Sequence, residues 1–336
     1  MGCSGEEFRR QSRLIDQGMP ALEVHPTVRI QAGPYAAEIS PSAGGRLLCL
    51  TYTDANQSVD CIVPWQGREA FEAHNWPKAG AFVMLPFTNR LAPAQFNWQD
   101  QTVTLHNGSP TGQGLHGFGH RRPWQLRQTT SHSAELALMH PASDAEWPWP
   151  FAATLTYQLS EAGLRMELSV CNTSTGVMPL SLGWHPFLPH STACPEDQGD
   201  YLVHAQRQHA IGLDGLGLAV ASVEPLPMQC FALPTEQAGT TAFEHYSGTV
   251  HLPLTAPWRL EMTSQNAAHL LVHTPPGLKH LCVEPISALP GALKQDLRTR
   301  NQLGLGPACT GTLVCTLGLQ ALSLPMATAE TLPRSP

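Results

Sequence analysis

Charged residues are scarce in this sequence. Only 13% of its 336 residues are Asp, Glu, Lys or Arg, against the ~25% that is usual for globular domains. Lys and Arg number 19 and Asp and Glu 26, which gives a formal net charge of −7, and no block of basic residues occurs. Proteins hold a phosphate backbone with clustered Lys and Arg, so nucleic acid is not an expected partner.

Long apolar runs are also missing. No stretch approaches the ~20 apolar residues that a membrane-spanning helix needs, and the first ten residues, MGCSGEEFRR, contain no apolar core of a secretory signal. We therefore expect a cytoplasmic protein with no membrane partner. The nine cysteines are an odd number at irregular spacing, without a C-x-x-C pair. They favour reduced, mostly buried thiols over a disulfide framework or a zinc ribbon.

The sequence is rich in turn-forming residues and in short alternating segments. It has 28 Gly and 30 Pro, which indicate many turns and few long helices. Residues 164–170 alternate apolar and polar side chains, as does 153–159, and a polar turn joins the two as a hairpin. Similar β-like segments lie at 28–30, 36–39, 46–52, 102–105, 135–139, 258–262, 269–273 and 312–319. These features predict an all-β fold, a large antiparallel sandwich, with one domain over residues 19–324 and tails at 1–18 and 325–336.

Two segments carry polar residues that suit a polyhydroxylated ligand. The apolar run 80–88 ends at Asn89 and Arg90, whose side chains offer a rigid set of hydrogen-bond donors and acceptors. A solvated turn after a strand is an equally good interpretation of this pair. His116 and His120 are four residues apart, but two glycines separate them, so we expect a loop rather than a helical zinc site.

Two further segments end in a titratable residue that precedes proline. His185 is followed by Pro186 and Glu284 by Pro285. Proline biases the preceding residue toward an extended backbone, so we expect both residues at strand ends with restricted geometry. Glu and His have reference pKa values of ~4.3 and ~6.5 and are the residue types that serve as base and acid near neutral pH. Two simple exits from strand to loop would produce the same pattern.

Taken in order, these segments resemble one family. Asn-Arg after an apolar-Pro-Phe run, then Leu-His-Gly, then Gly-x-His-Pro-Phe and Cys-x-Glu-Pro resemble the aldose 1-epimerases over roughly residues 27–320. The resemblance implies a galactose mutarotase-like β-supersandwich of large antiparallel sheets, with a sugar cleft on one sheet face. It also implies an isomerase that interconverts the α and β anomers of a free aldose without metal or other cofactor.

The resemblance also implies roles for five residues. Glu284 matches the family's general base at the anomeric hydroxyl, and His185 matches the general acid at the ring oxygen. His116 matches a second histidine that assists at the ring oxygen. Arg90 and Asn89 match residues that hold sugar hydroxyls.

The sequence departs from the family at one place, and three competing functions stay open. Members commonly carry an Asp a few residues before an aromatic, in the stretch that here covers 239–246 and has no Asp; Glu244 is a candidate replacement. A hexose-6-phosphate epimerase of the same superfamily would need basic residues for phosphate, such as Arg121 and Arg122. The second competing function is that of a non-catalytic sugar-binding or regulatory protein, and the third is that of a metal-dependent cupin-type enzyme.

The sequence leaves the sugar, the oligomeric state and the aromatic contacts of the ligand undecided. Large aromatic side chains can stack on the apolar face of a pyranose but are more often core residues. The candidates are Trp65, Trp76, Phe87, Trp124 and Trp184.

Overall fold

The structure is a computed structural model. It describes residues 26–65, 72, 75–105, 112–144, 147–189, 209–222, 239–244, 246, 248–254, 257–275, 280–295 and 303–321. The predicted tails at 1–18 and 325–336 lie outside the described residues, and the single-domain prediction for 19–324 stays a prediction. Within the described ranges, no helix is long and apolar enough to cross a membrane.

The described residues form strands almost throughout, with two short 3-10 helices at Gly119–Arg121 and Ala292–Lys294. The strands are β1 (Val28–Ala32), β2 (Tyr35–Ser40), β3 (Arg46–Thr53), β4 (Ser58–Asp60), β5 (Ala81–Met84), β6 (Arg90–Leu91), β7 (Gln95–Trp98), β8 (Gln101–Thr104), β9 (Gly114–Leu115), β10 (Gln125–Thr129), β11 (Ser133–His140), β12 (Phe151–Ser160), β13 (Gly163–Asn172), β14 (Met178–Pro179), β15 (Gly183–Pro189), β16 (His209–Leu213), β17 (Ala219–Ser222), β18 (Gly239–Glu244), β19 (Thr249–Pro253), β20 (Trp258–Gln265), β21 (His269–Thr274), β22 (His280–Ile286), β23 (Gly304–Leu305) and β24 (Thr310–Ala321).

Two large sheets contain most of these strands. In the described part of the chain the first has eleven strands, in the order β1-β2-β3-β5-β15-β22-β21-β18-β16-β17 with β4 added beside β3. The second has seven, in the order β10-β11-β12-β13-β24-β20-β19. Neighbouring strands pair antiparallel. In the hairpin of β12 and β13, for example, Leu155 lies opposite Leu168. The predicted hairpin over 153–170 is therefore present, and the all-β prediction is confirmed.

The two sheets pack face to face around one apolar core. Residues from both join a single cluster, among them Ile39 and Leu50 from the larger sheet and Leu155 and Leu168 from the smaller one. Hydrogen bonds also cross between the sheets. The Tyr157 hydroxyl donates to the Gly45 carbonyl oxygen at 2.9 Å. Aligned packing of two sheets over interdigitated side chains is the arrangement of a β-sandwich, and it leaves one outer face of the larger sheet available for a site.

Candidate active site

The floor of the site is the outer face of the larger sheet. Successive side chains of a strand point to opposite faces, and the central strands β5, β15, β21 and β22 follow this rule. Their core-facing residues join the main apolar cluster and include Val83, Trp184, Leu270 and Val283. The intervening residues form a second, smaller cluster that includes Phe82, Phe187, Leu271 and Cys282. These strands are therefore buried on both faces.

His185 and Glu284 lie opposite each other on this floor. Strands β15 and β22 pair with Gly183 beside Ile286 and Phe187 beside Cys282, and this register puts residue 185 across from residue 284. The His185 Nε2 atom is 3.2 Å from Glu284 Oε1, and the two side chains are only 8% and 2% exposed. The sheet thus brings together the two titratable residues that the sequence places 99 positions apart.

The prediction that these two residues end their strands is wrong. Strand β15 continues to Pro189 and β22 continues to Ile286, so each passes through the proline that follows the titratable residue. Proline lacks the N–H that a ladder hydrogen bond needs. The pairing is regular on either side of the prolines, so the interruption is local and does not end the strands.

Burial controls the protonation of the pair. It raises the pKa of Glu284 to about 8. Burial, with added repulsion from His116 and Arg46, lowers the pKa of His185 well below its usual value. Both shifts disfavour charge, so near neutral pH the pair holds one shared proton, and the state with this proton on the Glu284 carboxyl group, in which both residues are neutral, is favoured.

Part of the pair is left without a protein partner. Among the described residues, neither Glu284 Oε2 nor His185 Nδ1 has a hydrogen-bond partner, although both atoms are buried. Most buried polar atoms in proteins are paired. Buried, unpaired and pKa-shifted groups in a cleft are typical of a functional site.

His116 lies beside the pair on a loop with restricted geometry. Its backbone is left-handed, with φ of 59°, and its N–H donates to the Asn89 carbonyl oxygen at 2.8 Å. The ring centroid is 5.0 Å from that of His185, with the planes nearly perpendicular. Its Nδ1 atom is 3.0 Å from the Met84 sulfur. A thioether can only accept a hydrogen bond, so this contact assigns the proton of the neutral ring to Nδ1.

Gly117 explains why this loop can approach the sheet. A Cβ atom at this position would lie 2.0 Å from the Leu85 carbonyl oxygen, and φ is +64°. Only glycine fits such a contact in the left-handed region. The expectation of a loop around His116 is confirmed, and the chain then forms the short 3-10 helix at Gly119–Arg121.

The five residues predicted for the site line one cleft, whose volume is about 570 Å³. They are Asn89, Arg90, His116, His185 and Glu284. The volume lies within the ~300–1,000 Å³ that is usual for ligand pockets. Asn89 is buried with φ of 51°, whereas Arg90 is exposed and donates to Gln113 Oε1 at 3.1 Å. The structure therefore gathers these residues on one surface, although it assigns them no roles.

Several other residues of the cleft were not identified from the sequence as site residues. Trp76, Lys78, Thr240, His273 and His280 also line it. Register explains two of them, because Cys282 lies beside His273 and His273 beside Thr240 across neighbouring strands. The Thr240 hydroxyl is 2.8 Å from His273 Nδ1. The predicted strand at 269–273 already implies, from its two-residue alternation, that His273 shares a face with every second residue of that strand.

Arg46 packs beside the floor of the cleft, against Phe82. It is fully buried, its guanidinium carbon lies 4.8 Å from the centre of the Phe82 ring, and burial lowers its pKa to about 9. It donates to the Ala79 carbonyl oxygen at 2.7 Å. Phe82 in turn stacks on His185 with a centroid distance of 4.5 Å. Through Phe82, Arg46 therefore connects the segment around residue 79 to His185.

Glu244 does not replace the missing Asp at the cleft. Glu244 pairs with His269 in the ladder and is not among the residues that line the cleft, whereas Thr240 is. Among the described residues of this stretch, Thr240, three residues before Phe243, lines the cleft.

The two arginines considered for phosphate lie away from the cleft. Arg121 donates to the Gly117 carbonyl oxygen at 3.0 Å. Arg122 pairs with Asp144 and lies over the Phe118 ring at 4.1 Å. Neither lines the cleft, so the expectation that they hold a phosphate there is wrong.

Of the five candidate aromatic residues, Trp76 lines the cleft. Its ring centroid is 5.6 Å from that of Phe82. Phe87, Trp124 and Trp184 belong to the main core, and Trp65 packs in a separate small cluster. Phe187, which the sequence did not single out as a stacking residue, also lines the cleft.

One set of side chains has the residue types that bind a metal ion. The possible ligand atoms of His185, Cys282 and Glu284 lie within 4.8 Å of one another, and zinc uses all three residue types. This set includes the contacting pair of His185 and Glu284. Its cysteine has a pKa well above the usual value, because of burial and the nearby Glu284 carboxylate, so the thiolate that binds metal is disfavoured.

The two sheets form a galactose mutarotase-like β-supersandwich, and comparison of the sequence with protein families identifies the family. The model of the aldose 1-epimerase family matches residues 26–212. The chain belongs to this family. The match ends before β22 and therefore does not include Glu284.

Similarity to individual proteins is distant. The Escherichia coli (strain K12) protein YphB is 29% identical over 114 residues, which cover 34% of this chain and 38% of that protein. A galactose mutarotase-like protein from Clostridium acetobutylicum superposes with a TM-score of 0.75 at 19% identity, covering 90% of this chain and 98% of its own. A candidate aldose 1-epimerase from Escherichia coli K12 gives 0.74 at 20% identity, covering 88% and 99%. At these identities the structural matches show the fold.

Proposed function

We propose that this protein is an aldose 1-epimerase that interconverts the α and β anomers of an aldose through its open-chain form. The observation that carries the proposal is the 3.2 Å contact between His185 and Glu284 on the floor of the cleft. A hemiacetal has two oxygens on one carbon, and its opening needs a base at one and an acid at the other. A buried carboxyl and imidazole side by side supply both.

The reaction begins from the state in which Glu284 is a carboxylate and His185 an imidazolium. Glu284 takes the proton from the anomeric hydroxyl while the bond from carbon 1 to the ring oxygen breaks and His185 protonates that oxygen. The products are an open-chain aldehyde, a carboxylic acid and a neutral imidazole. After rotation about the C1–C2 bond, the hydroxyl attacks the other face of carbon 1, and both protons return by the same route.

The environment of the pair sets the balance between its two protonation states. The single proton of the pair resides on Glu284 in one state and on His185 in the other, and burial disfavours charge on both residues. The neutral pair, with the proton on Glu284, is therefore the more stable state, and the ion pair from which ring opening starts lies above it in free energy. In this proposal His116, whose ring contacts that of His185, contacts the ring-oxygen side of the sugar, and Asn89 and Arg90, which line the cleft, hold hydroxyl groups.

The test is the rate of anomer exchange in wild type and in Glu284→Gln. Polarimetry on freshly dissolved α-galactose or α-glucose, or magnetisation-transfer NMR at equilibrium, gives the rate after subtraction of the spontaneous reaction. Glu284→Gln keeps the size and a hydrogen-bonding oxygen but cannot take the proton, so we expect a loss of about 10²- to 10⁴-fold.

Glu167→Gln is the matched control, because Glu167 lies on β13 of the other sheet and is paired with Arg165. It should exchange anomers at the wild-type rate. Near-full activity of Glu284→Gln would remove Glu284 from the mechanism. Sugar binding by calorimetry, without any exchange in the wild type, would instead support the non-catalytic binding protein.

A further inference from the structure

Three side chains converge on the floor of the cleft with the residue types that bind zinc. Cys282 and Glu284 are two residues apart on β22, so their side chains point to the same face of the sheet. The register of β15 with β22 puts His185 across from Glu284. The possible ligand atoms of the three residues lie within 4.8 Å of one another. Zinc sites with three protein ligands keep a fourth position for water.

The spacing of the ligand atoms fits one small ion. Around a tetrahedral zinc ion with bonds of ~2.0–2.3 Å, neighbouring ligand atoms are about 3.3–3.6 Å apart. His185 Nε2 and Glu284 Oε1 are 3.2 Å apart, so the ion fits where this pair otherwise shares a proton. The limit of 4.8 Å for the whole set exceeds the tetrahedral spacing by about 1 Å. Rotation of one side chain can supply that shift.

The charges of the three side chains balance the charge of a divalent ion. A thiolate and a carboxylate each carry one negative charge and a neutral imidazole carries none, so their complex with Zn²⁺ has no net charge. All three residues are buried, and a buried charge is stable when it is paired or bound to a metal. Without a metal, burial favours the protonated thiol and carboxyl groups. A bound cation reverses this preference, because it stabilises both anions.

Two further observations, independent of the residue types, favour a bound ion. Among the residues that the structure describes, Glu284 Oε2 is buried and has no hydrogen-bond partner, and a bound ion or water is one usual reason for such an atom. His185, Cys282 and Glu284 also all line the cleft. An ion can therefore reach them from solvent, and water can fill its fourth position.

We propose that the floor of the cleft is an inhibitory zinc site, in which His185, Cys282 and Glu284 together bind one Zn²⁺ ion. Binding releases two protons to solvent, the thiol proton of Cys282 and the proton shared by His185 and Glu284, and transfers no electron. With the ion bound, Glu284 cannot take a proton and His185 has none to give, so ring opening stops. The binding is independent of the proposed function, and its inhibitory effect rests on that function.

Cobalt(II) is the spectroscopic probe of this site. It accepts the same ligands as zinc, and a bond between cobalt and a thiolate gives a strong near-ultraviolet absorption band. Reduced wild-type protein titrated with cobalt chloride should show this band, and added Zn²⁺ should abolish it by displacing the cobalt. Mg²⁺ should not displace it, because Mg²⁺ prefers octahedral oxygen ligands. Absence of the band in the wild type overturns the inference.

Cys282→Ser tests the thiolate ligand, because Ser is similar in size and removes the sulfur. The variant should lose the cobalt band, and calorimetry should show zinc affinity reduced by more than the ~10- to 100-fold that loss of an outer-shell contact costs. Cys171→Ser is the matched control. Cys171 is a free cysteine on β13 of the other sheet and does not line the cleft, so this variant should bind as the wild type does. A band that survives Cys282→Ser overturns the inference.

Glu284→Gln tests the carboxylate ligand and keeps the inference testable if Cys282→Ser does not fold. It retains the thiolate but loses a negative charge, so it should keep the cobalt band at saturating cobalt and bind zinc about 100-fold more weakly. Glu167→Gln, on the other sheet, should bind zinc as tightly as the wild type. Equal zinc affinity in Glu284→Gln and the wild type overturns the inference.

Anomer exchange measures the consequence of binding. Exchange of galactose by the wild type should fall in proportion to zinc occupancy and return when a chelator removes the ion. Binding that depends on Cys282, in a protein that catalyses no exchange of any sugar, contradicts the proposed function and leaves the zinc site standing. Catalysed exchange in a protein whose zinc binding does not depend on Cys282 overturns the zinc site and leaves the epimerase proposal standing.

Discussion

The two large sheets use their outer faces in different ways. In the smaller sheet, β12 and β13 alternate between buried and partly exposed residues along most of their length, so one face meets the core and the other meets solvent. In the larger sheet, β5 and β22 are buried at every position. A strand buried on both faces has no solvated side, so a charged or titratable residue within it needs an explanation other than solvation.

A similar pair of residue types shows the contrast directly. On β13, Arg165 and Glu167 form an ion pair whose side chains are 43% and 34% exposed. His185 and Glu284 form the corresponding base-carboxylate pair in the larger sheet, at 8% and 2% exposure. Exposed pairs of this kind contribute roughly 0–1 kcal/mol to stability. The buried pair has shifted pKa values and faces a cleft, which is the pattern of a catalytic site.

A core substitution in the smaller sheet should separate stability from activity. Leu168 on β13 is fully buried, and Leu168→Ala should lower the free energy of unfolding by about 2–5 kcal/mol through lost burial and a cavity. Urea denaturation measures this change. The rate of anomer exchange of the folded variant should stay at the wild-type value. A parallel loss of activity would show that a core substitution in the smaller sheet also affects the site on the larger sheet.

The buried carboxyl group of Glu284 should lower the free energy of unfolding. Its pKa of about 8 in the folded state lies above its usual value of 4.5, so the folded state binds more protons between these values and wild-type stability falls as pH rises through this window. Glu284→Gln removes this dependence. Relative to wild type, it should gain roughly 2–4 kcal/mol between pH 4.5 and 8.

Thermal or urea unfolding at several pH values measures that gain. Glu167→Gln, the same substitution on the partly exposed face, should differ from wild type by less than about 1 kcal/mol across the same range. A Glu284→Gln curve parallel to that of wild type would mean that the carboxyl is not destabilised by burial.

The pH dependence of kcat/KM should report the shared proton. Above pH 8 the pair loses this proton and with it the acid, so the rate should fall about tenfold per pH unit. Below pH 8 it should stay nearly constant through pH 6, because burial lowers the pKa of His185 well below its usual value and keeps a second proton off the pair. A decline between pH 7 and pH 6, as an ordinary histidine would give, would contradict this account of the pair.

Much of the smaller sheet was predictable from the sequence. The alternation at 153–159 and 164–170 matches β12 and β13, because a strand with one solvated face must alternate in the sequence. The central strands β5, β15 and β22 of the larger sheet lack this signal. Residues 280–286 are buried throughout, and a continuous apolar run does not show which side chains share a face. His185 and Glu284 were expected at strand ends for a different reason, the proline that follows each of them.

Composition and alternation were enough to predict the all-β class, and the ordered motifs were enough to select Asn89, Arg90, His116, His185 and Glu284. The folded chain was needed to show that these five line one cleft and that Thr240, His273 and Lys78 join them there. It also placed Arg121 and Arg122 elsewhere. The physical reason is strand register: it brings residues about a hundred positions apart into contact, and it follows from the pairing of the whole sheet rather than from any local segment.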